Sequence, residues 1–210
     1  MGRMNVNPTR MELRRLKTRL TTATRGHKLL KDKSDETIRQ FMIYVKENKR
    51  LREEVEGELT AALRSFLFAS AVNSPEVIEE AVAIPTSEVK LASSVRNIMS
   101  VETPVLTIEE VPSSDLYPYS FASVTEELDA SIDVLRKLLV KIVRLAEVEK
   151  TCNMLADEIE KNRRRVNALE YVMIPELTET IKYIGMKLDE NERANTIRLM
   201  KVKDIIKDNN

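Results

Sequence analysis

Residues 159–203, IEKNRRRVNALEYVMIPELTETIKYIGMKLDENERANTIRLMKVK, decide the fold of this 210-residue chain. The stretch is dense in charge, and its apolar residues recur every three or four positions: Ile159, Val166, Leu169, Met173, Leu177, Ile181, Ile184 and Leu188. That spacing places them on one stripe of an α-helix, with charged side chains on the other faces. A stripe this narrow cannot form a core alone, so the sequence predicts a partner helix.

The N-terminal region offers that partner. Its apolar positions also advance in steps of three and four, through Leu13, Leu16, Leu20, Ala23, His27, Leu30, Phe41, Val45, Leu51, Val55, Leu59 and Ala62. Such heptad spacing favours a left-handed coiled coil. We therefore expect an all-α fold in which two long antiparallel helices pair, with partner residue numbers that sum to roughly 195.

Capping residues mark where the helices begin and end. Asn7 before Pro8, or Thr9 with Glu12, can begin the first helix, and a second capping box at residues 123–126 begins the last. Pro175 lies inside the pattern of the last helix. Since the apolar stripe resumes in phase after it, we expect the proline to kink or loosen one turn without ending the helix.

These boundaries divide the chain into an N-terminal coiled-coil helix (residues 1–72), an insert (residues 73–122) and a C-terminal coiled-coil helix (residues 123–210). In the insert, Ser74 should cap a short helix over residues 75–83, which Pro85 terminates.

The rest of the insert has a different pattern. Residues 86–110 are rich in β-branched side chains that alternate with polar ones, which predicts a β-hairpin turning near residues 100–103. Pro104 would then lie on an outer edge, where no ladder hydrogen bond is lost. A short helix in LASSVRNIM is the alternative. Residues 111–121 contain two prolines and predict a loop.

Composition favours long exposed helices over a compact core. Charged residues make up 32% of the chain, aromatic residues only 4%, and tryptophan is absent. The net charge is zero, yet residues 1–33 hold ten basic and two acidic side chains, a local charge of +8. The single cysteine excludes an internal disulfide and fits a reducing compartment. No apolar run is long enough for a membrane span and no signal peptide is apparent, so we predict a cytoplasmic protein.

Nothing in the sequence predicts catalysis, a cofactor or a metal site. The chain has one histidine, one cysteine and isolated glycines, so it offers neither a Cys–His dyad nor a phosphate-binding loop. His27 occupies a seam position and is predicted to pack there, and Cys152 is predicted to be a small buried hydrophobic residue. Two non-catalytic alternatives stay open from composition: a coiled-coil scaffold or tether, and a basic helix that binds nucleic acid.

Both ends of the chain resemble the D subunit of the V-type and A-type rotary ATPases, of the bacterial or archaeal type. The resemblance covers residues 6–36 and 148–203, and four motifs carry it: Pro8-Thr-Arg, Gly26-His27-x-Leu-Leu-Lys31, Arg164-Arg-Val-Asn-Ala-Leu-Glu170 and Leu188-Asp-Glu-x-Glu-Arg193. It implies a non-catalytic rotor shaft in the central stalk, present in one copy on the cytoplasmic side of the membrane. The shaft would transmit torque between the ATP-hydrolysing hexamer of A and B subunits and the membrane ring, in ATP-driven ion transport or in ATP synthesis.

The resemblance also implies partners, and we assign candidate residues to two of them. The hexamer would contact basic side chains near the chain termini, namely Arg10, Arg14, Lys28, Lys31, Lys33, Arg163, Arg164, Arg165 and Arg198. The F subunit would dock farther along the helices, on Tyr44, Leu51, Phe66, Phe68, Leu135 and Ile142. A connecting subunit would join the shaft to the ring. No nucleic acid and no membrane insertion are expected.

Overall fold

The structure, a computed structural model, describes residues 2, 4–83, 89–110 and 126–208. Its elements in chain order are α1 (Arg10–Val72), α2 (Pro75–Ala83), β1 (Val89–Ile98), β2 (Val101–Glu110), α3 (Glu126–Ala168), a π-helical turn (Leu169–Met173) and α4 (Ile174–Asp208). The predicted fold class is confirmed: long N- and C-terminal helices pack together, beside one short helix and a two-stranded hairpin. Three predictions lie outside the described residues, namely the stop at Pro85, the loop over 111–121 and the cap at residues 123–125.

The start of α1 is set by a side-chain cap. The Thr9 hydroxyl oxygen accepts a hydrogen bond from the Glu12 backbone N–H at 3.2 Å, so the second of the two predicted caps is the one used. The segment before the helix lies along α4. There the Met4 backbone N–H donates to the Thr180 hydroxyl at 3.2 Å, and Met4 and Val6 pack on the core. The apolar spacing did not predict this contact.

The chain forms two compact units, each built on a different part of α1. The terminal unit comprises residues 1–36 and 159–210, and the middle unit comprises residues 37–158. In the terminal unit His27 Nε2 lies 3.2 Å from a Glu170 carboxylate oxygen. In the middle unit the Lys141 ammonium donates to Glu54 at 2.8 Å. Both pairs lie at the predicted antiparallel register.

The core of the terminal unit is a single seam between α1 and α4. Leu16 and Ala23 from α1 are buried against Leu177 and Ile184 from α4. Partly buried side chains widen this seam on both sides: Leu13, Leu20, Leu169, Met173, Ile174, Ile181, Tyr183 and Leu188. Burial of these apolar surfaces is the main force that holds the two helices together.

The middle unit has two small clusters. In the first, Leu51 packs with Val148 and Cys152, so the prediction of a buried cysteine is confirmed. Burial raises the pKa of the Cys152 thiol. In the second cluster, Ala69 of α1, Ala81 of α2 and Leu128 of α3 meet, which anchors the short helix α2 against the two long ones.

Pro175 is accommodated by the π-helical turn that ends immediately before Ile174. A proline lacks the backbone N–H of a normal helical residue, and its ring clashes with the carbonyl group four residues earlier. A π-turn lengthens the local hydrogen-bond pattern and so removes this clash. The helical path therefore continues into α4, as the in-phase apolar stripe predicted.

The hairpin is regular over ten residue pairs, from Val89 opposite Glu110 to Ile98 opposite Val101. The alternative of a short helix in LASSVRNIM is wrong, because these residues form β1. A two-residue turn, Met99-Ser100, joins the strands, with φ of 52° and 70°. Positive φ at both central residues defines a type I′ turn, the turn that suits the twist of a hairpin. Methionine and serine are strained there, since this conformation favours Asn-Gly.

Replacing Met99 with asparagine and Ser100 with glycine should therefore stabilise the hairpin by about 1–2 kcal/mol. The side chain of Asn97, which accepts a hydrogen bond from the Ser100 N–H at 3.0 Å, is unchanged in this variant. Amide exchange of the ladder residues measures the effect as a slower opening of the strands. The matched control is Ser93→Gly in mid-strand, which should speed opening. Equal or faster opening in the turn variant would contradict the assignment of strain.

Candidate protein-binding surfaces

The described residues offer several surfaces for other proteins. Among them, no group of three or more histidine, cysteine, aspartate or glutamate side chains is placed to hold a metal ion. None of the described helices has an apolar stretch long enough to cross a membrane.

The two units have net charges of opposite sign. The terminal unit contains 21 basic and 13 acidic residues, a net charge of +8. The chain has 34 of each, so the middle unit holds the remaining 13 basic and 21 acidic residues, a net charge of −8. Although the net charge of the whole chain is zero, each unit therefore attracts partners whose charge is opposite to its own.

The predicted basic residues near the α3 end form a collar on the terminal unit. We define the basic collar as Lys28, Lys31, Lys33, Arg163, Arg164 and Arg165. All are exposed except Lys33, which is half-buried. The contact of His27 with Glu170, which lies in the π-helical turn directly after α3, shows that this part of α1 lies beside the end of α3.

Some of the collar charges are already engaged within the chain. Arg164 pairs with Glu160 one turn earlier, and an Arg165 N–H donates to the Asn162 side-chain oxygen at 3.3 Å. Asn162 is fully buried, and its amide nitrogen has no hydrogen-bond partner among the described residues. Exposed helical ion pairs of this kind contribute only a few tenths of a kcal/mol, so they do not prevent the arginine from contacting a partner.

The other three predicted contacts lie nearer the chain termini. Arg10 pairs with Glu192 across the two helices, and both side chains are largely exposed. Arg14 and Arg198 are also exposed, on α1 and α4 respectively.

Sequence reasoning missed an apolar surface at the end of α4. We define the terminal tip as six exposed side chains: Ile197, Leu199, Met200, Val202, Ile205 and Ile206. Their exposed fractions lie between 49% and 70%. They do not share one stripe, since Ile197 and Leu199 are two positions apart and point to opposite sides of the helix. A helix with apolar residues on several sides normally lies in an apolar environment, and that signal was available in the sequence.

The predicted contacts for the F subunit are distributed unequally over the middle unit. Phe68 and Ile142 are exposed, whereas Tyr44, Phe66 and Leu135 are half-buried. Leu51 is only 9% exposed and lies in the seam between α1 and α3. A partner could not reach Leu51 without opening that seam, so its placement on the docking surface is corrected: it supports the surface from beneath.

Further apolar side chains on α1 extend this surface. Leu63 and Leu67 stand beside Phe68 with half or more of each side chain exposed. Leu63 and Leu67 are four residues apart, which puts them on one face of the helix. A groove also runs between α1 and α3, with an apolar floor and a polar rim formed by Phe41, Val45, Asn48, Lys49, Arg52, Cys152, Asn153 and Ala156.

Ion pairs hold α1 and α3 together along the same unit. The Lys141 ammonium contacts both Glu54 and Glu58, and these hydrogen bonds raise the pKa of Lys141. The hydrogen bond from Lys141 in turn holds the pKa of the Glu54 carboxyl below its ordinary value. Arg144 of α3 links the helices a second time through Glu47 of α1 at 3.3 Å, and it also pairs with the buried Glu147 of its own helix at 2.6 Å.

Comparison with known proteins shows which protein family has sequences similar to this chain. The sequence profile of the family described as the D subunit of ATP synthase matches residues 12–204. The chain is 59% identical to a V-type ATP synthase D subunit of Acetivibrio thermocellus, over 98% of this chain and 94% of the relative. It is 55% identical to the protein of that name from Thermoanaerobacter pseudethanolicus, over 98% and 99%. A third relative so named, from Clostridium botulinum, is 54% identical over 98% and 97%.

Proposed function

The chain belongs to the ATP synthase D subunit family, and we propose that it is the central rotor shaft of a V-type rotary ATPase. It would transmit torque between the A/B catalytic hexamer and the ring that moves ions across the membrane. The observation that carries the proposal is the near full-length similarity to V-type D subunits of three bacteria. The shaft itself would perform no catalysis, and it would work on the cytoplasmic side of the membrane.

The terminal unit has the properties expected of the part inside the hexamer. A rotating shaft must contact three equivalent sites in turn, so its contacts should be weak and easily exchanged. Long lysine and arginine side chains with screened charges provide such contacts. The basic collar would therefore meet acidic loops of the A and B subunits, together with Arg10, Arg14 and Arg198.

The terminal tip supports insertion of this end into the hexamer. Its six apolar side chains are largely exposed in the single chain, which is costly in water. An apolar socket at the hexamer axis would cover all sides of the helix at once. It would also let the helix turn, because an apolar contact has no directional bonds to break.

The middle unit would bind the F subunit and lead to the connecting subunit. Leu63 and Leu67 share one exposed face of α1, Phe68 is exposed beside Leu67, and Ile142 and Leu135 lie on α3. The seam and the ion pairs of Lys141 and Arg144 would keep the two helices from separating under load. One copy of the chain would serve each complex, because a single chain with unequal helices presents different faces to the three catalytic sites.

A reconstitution experiment tests the proposal. The purified chain should be a monomer by light scattering, and mixing it with an A/B hexamer from a related bacterium should give a complex with one copy of the chain and a changed ATPase rate. The matched control is a chain truncated after residue 192, which lacks the terminal tip. Absence of a stoichiometric complex would refute the shaft, a stable homodimer would favour a coiled-coil tether, and salt-dependent binding to duplex DNA would favour a nucleic-acid binder.

A further inference from the structure

The outer edge of β1 is a surface to which the shaft function gives no role. Among the described residues, β1 pairs with β2 along one edge and has no strand along the other. Ser93 lies opposite Leu106, whose N–H donates to the Glu147 carboxylate on α3, at 3.3 Å, instead of to β1. In an antiparallel pair, two opposite residues that do not exchange hydrogen bonds both direct their backbone N–H and C=O groups away from the partner strand. Because this orientation alternates along a strand, the outward backbone N–H groups of β1 belong to Val89, Leu91, Ser93, Val95 and Asn97.

The two edges of the hairpin are protected differently. On β2, Pro104 occupies an outward position, opposite Val95, and Glu147 accepts the next outward N–H. Proline and charged groups are the usual devices that keep an edge strand from pairing. The outward positions of β1 carry no proline and no charged side chain. Among the described residues, no hydrogen bond comes from any of the five outward backbone N–H groups of β1.

Three of the five side chains at the outward positions of β1 are apolar and exposed. Val89, Leu91 and Val95 have exposed fractions of 41%, 56% and 70%. The opposite face of the hairpin contains buried Val101 and Thr103, so the hairpin packs by one face and leaves the other open. When an extended segment adds to a sheet as a new strand, it pairs with an unpaired edge and packs its side chains on an adjoining apolar face, and β1 offers both.

Charge limits what kind of strand can add there. The open face has one charged side chain among those described, the exposed Glu102 opposite Asn97 near the turn. The middle unit that carries the hairpin has a net charge of −8. A second copy of this chain would bring the same negative charge, so electrostatics disfavours pairing between two β1 strands. A segment with a lysine or arginine side chain on the open face, near Glu102, would be attracted instead, because the cations of β1, Lys90 and Arg96, lie on the opposite face.

We propose that β1 is a docking edge for an extended segment of a partner protein, which adds to the hairpin as a third strand. Its backbone pairs with the outward groups of Leu91, Ser93 and Val95. Its apolar side chains cover Leu91 and Val95 on the open face, and a basic side chain on that same face, beside Asn97, faces Glu102. The proposal concerns a surface outside the basic collar and the terminal tip, and it holds whether or not the chain turns as a shaft.

The first test uses the full-length chain and a ten-residue peptide that alternates valine with threonine and has lysine in place of its first and last valine, so that valine and lysine share one face. The N–H groups of Leu91, Ser93 and Val95 should exchange fast in the free chain, and the peptide should slow them by about tenfold or more. A peptide with glutamate in place of the two lysines is the matched control and should slow them much less, because its charges repel Glu102. Unchanged rates with the lysine peptide, or equal protection by both peptides, would overturn the proposal.

Variants of β1 distinguish strand addition at this edge from nonspecific binding of the peptide. Ser93→Pro removes one outward N–H without removing a ladder hydrogen bond, as Pro104 does on the other strand, and should abolish the protection. Protected ladder N–H groups at Ser94 and Arg96 would show that the hairpin of this variant is intact. The double variant Leu91→Lys with Val95→Lys should also lose the peptide, through charge repulsion. Full protection in either variant would overturn the proposal.

The second test uses the complex that the chain forms in cells. The outward N–H groups of β1 should be protected in the purified native complex and should exchange fast in the free chain. Fast exchange in both, or protection that rises with the concentration of the free chain alone, would refute a partner strand. Failure of reconstitution with the A/B hexamer would refute the shaft and leave the peptide result standing, so the two failures are distinguishable.

Discussion

Replacing Leu177 with alanine should lower the free energy of unfolding of the terminal unit by about 2–5 kcal/mol. Leu177 is fully buried and packs in the seam with Leu16, Ala23 and Ile184. The substitution removes the apolar contacts of the leucine and leaves a cavity. The seam cannot close around that cavity easily, because Pro175 and the π-turn fix the helix immediately before it. Total stabilities of domains are only about 5–15 kcal/mol, so this loss is severe.

Amide exchange in α4 is the direct measurement for Leu177→Ala, since it reports on the terminal unit separately from the middle unit. Urea unfolding followed by circular dichroism gives a second value. Leu199→Ala is the matched control: the same substitution on the same helix at a side chain that is 70% exposed. It should change stability by less than about 0.5 kcal/mol. A loss below about 1 kcal/mol at Leu177 would show that this seam is not the main source of stability.

The helices and their register could be predicted because one physical signal decides both. Apolar residues every three or four positions require a helix, and two narrow stripes in one chain require each other. Proline and capping residues then mark the ends, as at Thr9 and Pro75. The predicted hairpin was also confirmed, including Pro104 at an outward position where no ladder hydrogen bond is lost.

Other features depend on which side chains meet in space, so spacing alone could not predict them. Leu51 and Phe68 are both apolar residues of α1, yet one is buried and the other exposed. Polar residues also enter the seam: Thr180 is fully buried because its hydroxyl has two partners, the Glu176 carbonyl oxygen and the Met4 N–H. The partner that buries it comes from an extended segment with no periodic pattern of its own.

As with the fold, only part of the candidate surfaces could be predicted from the sequence. The basic collar could be predicted because lysine and arginine side chains on a two-helix seam remain in water. The edge of β1 was missed because it becomes unusual only when the rest of the chain is known to leave it uncovered. The terminal tip was missed although its signal was present: its apolar residues lie on several sides of the helix, and α1 begins only at Arg10, which pairs with Glu192.

Neutralising the basic collar should weaken binding of the chain to an A/B hexamer by about tenfold or more at low salt. The variant replaces Lys28, Lys31, Arg163 and Arg164 with glutamine, which keeps the length and helix propensity of the side chains. All four side chains are exposed, so the fold should survive. Each lost contact with an acidic loop costs a fraction of a kcal/mol to about 1 kcal/mol, and four such losses add up to this change in affinity.

Salt dependence distinguishes an electrostatic contact from a steric one. Raising the ionic strength shortens the screening length to a few ångströms, so the difference between the variant and the parent chain should shrink toward zero. The matched control neutralises four exposed cations of the middle unit, Lys46, Arg50, Lys137 and Lys150, and should leave hexamer affinity unchanged. Titration of labelled chain into the hexamer, at several salt concentrations, measures both variants together with the ATPase rate. Equal affinities of parent and variant at low salt would exclude the collar from the contact, and a loss that salt does not reduce would point to altered packing instead of charge.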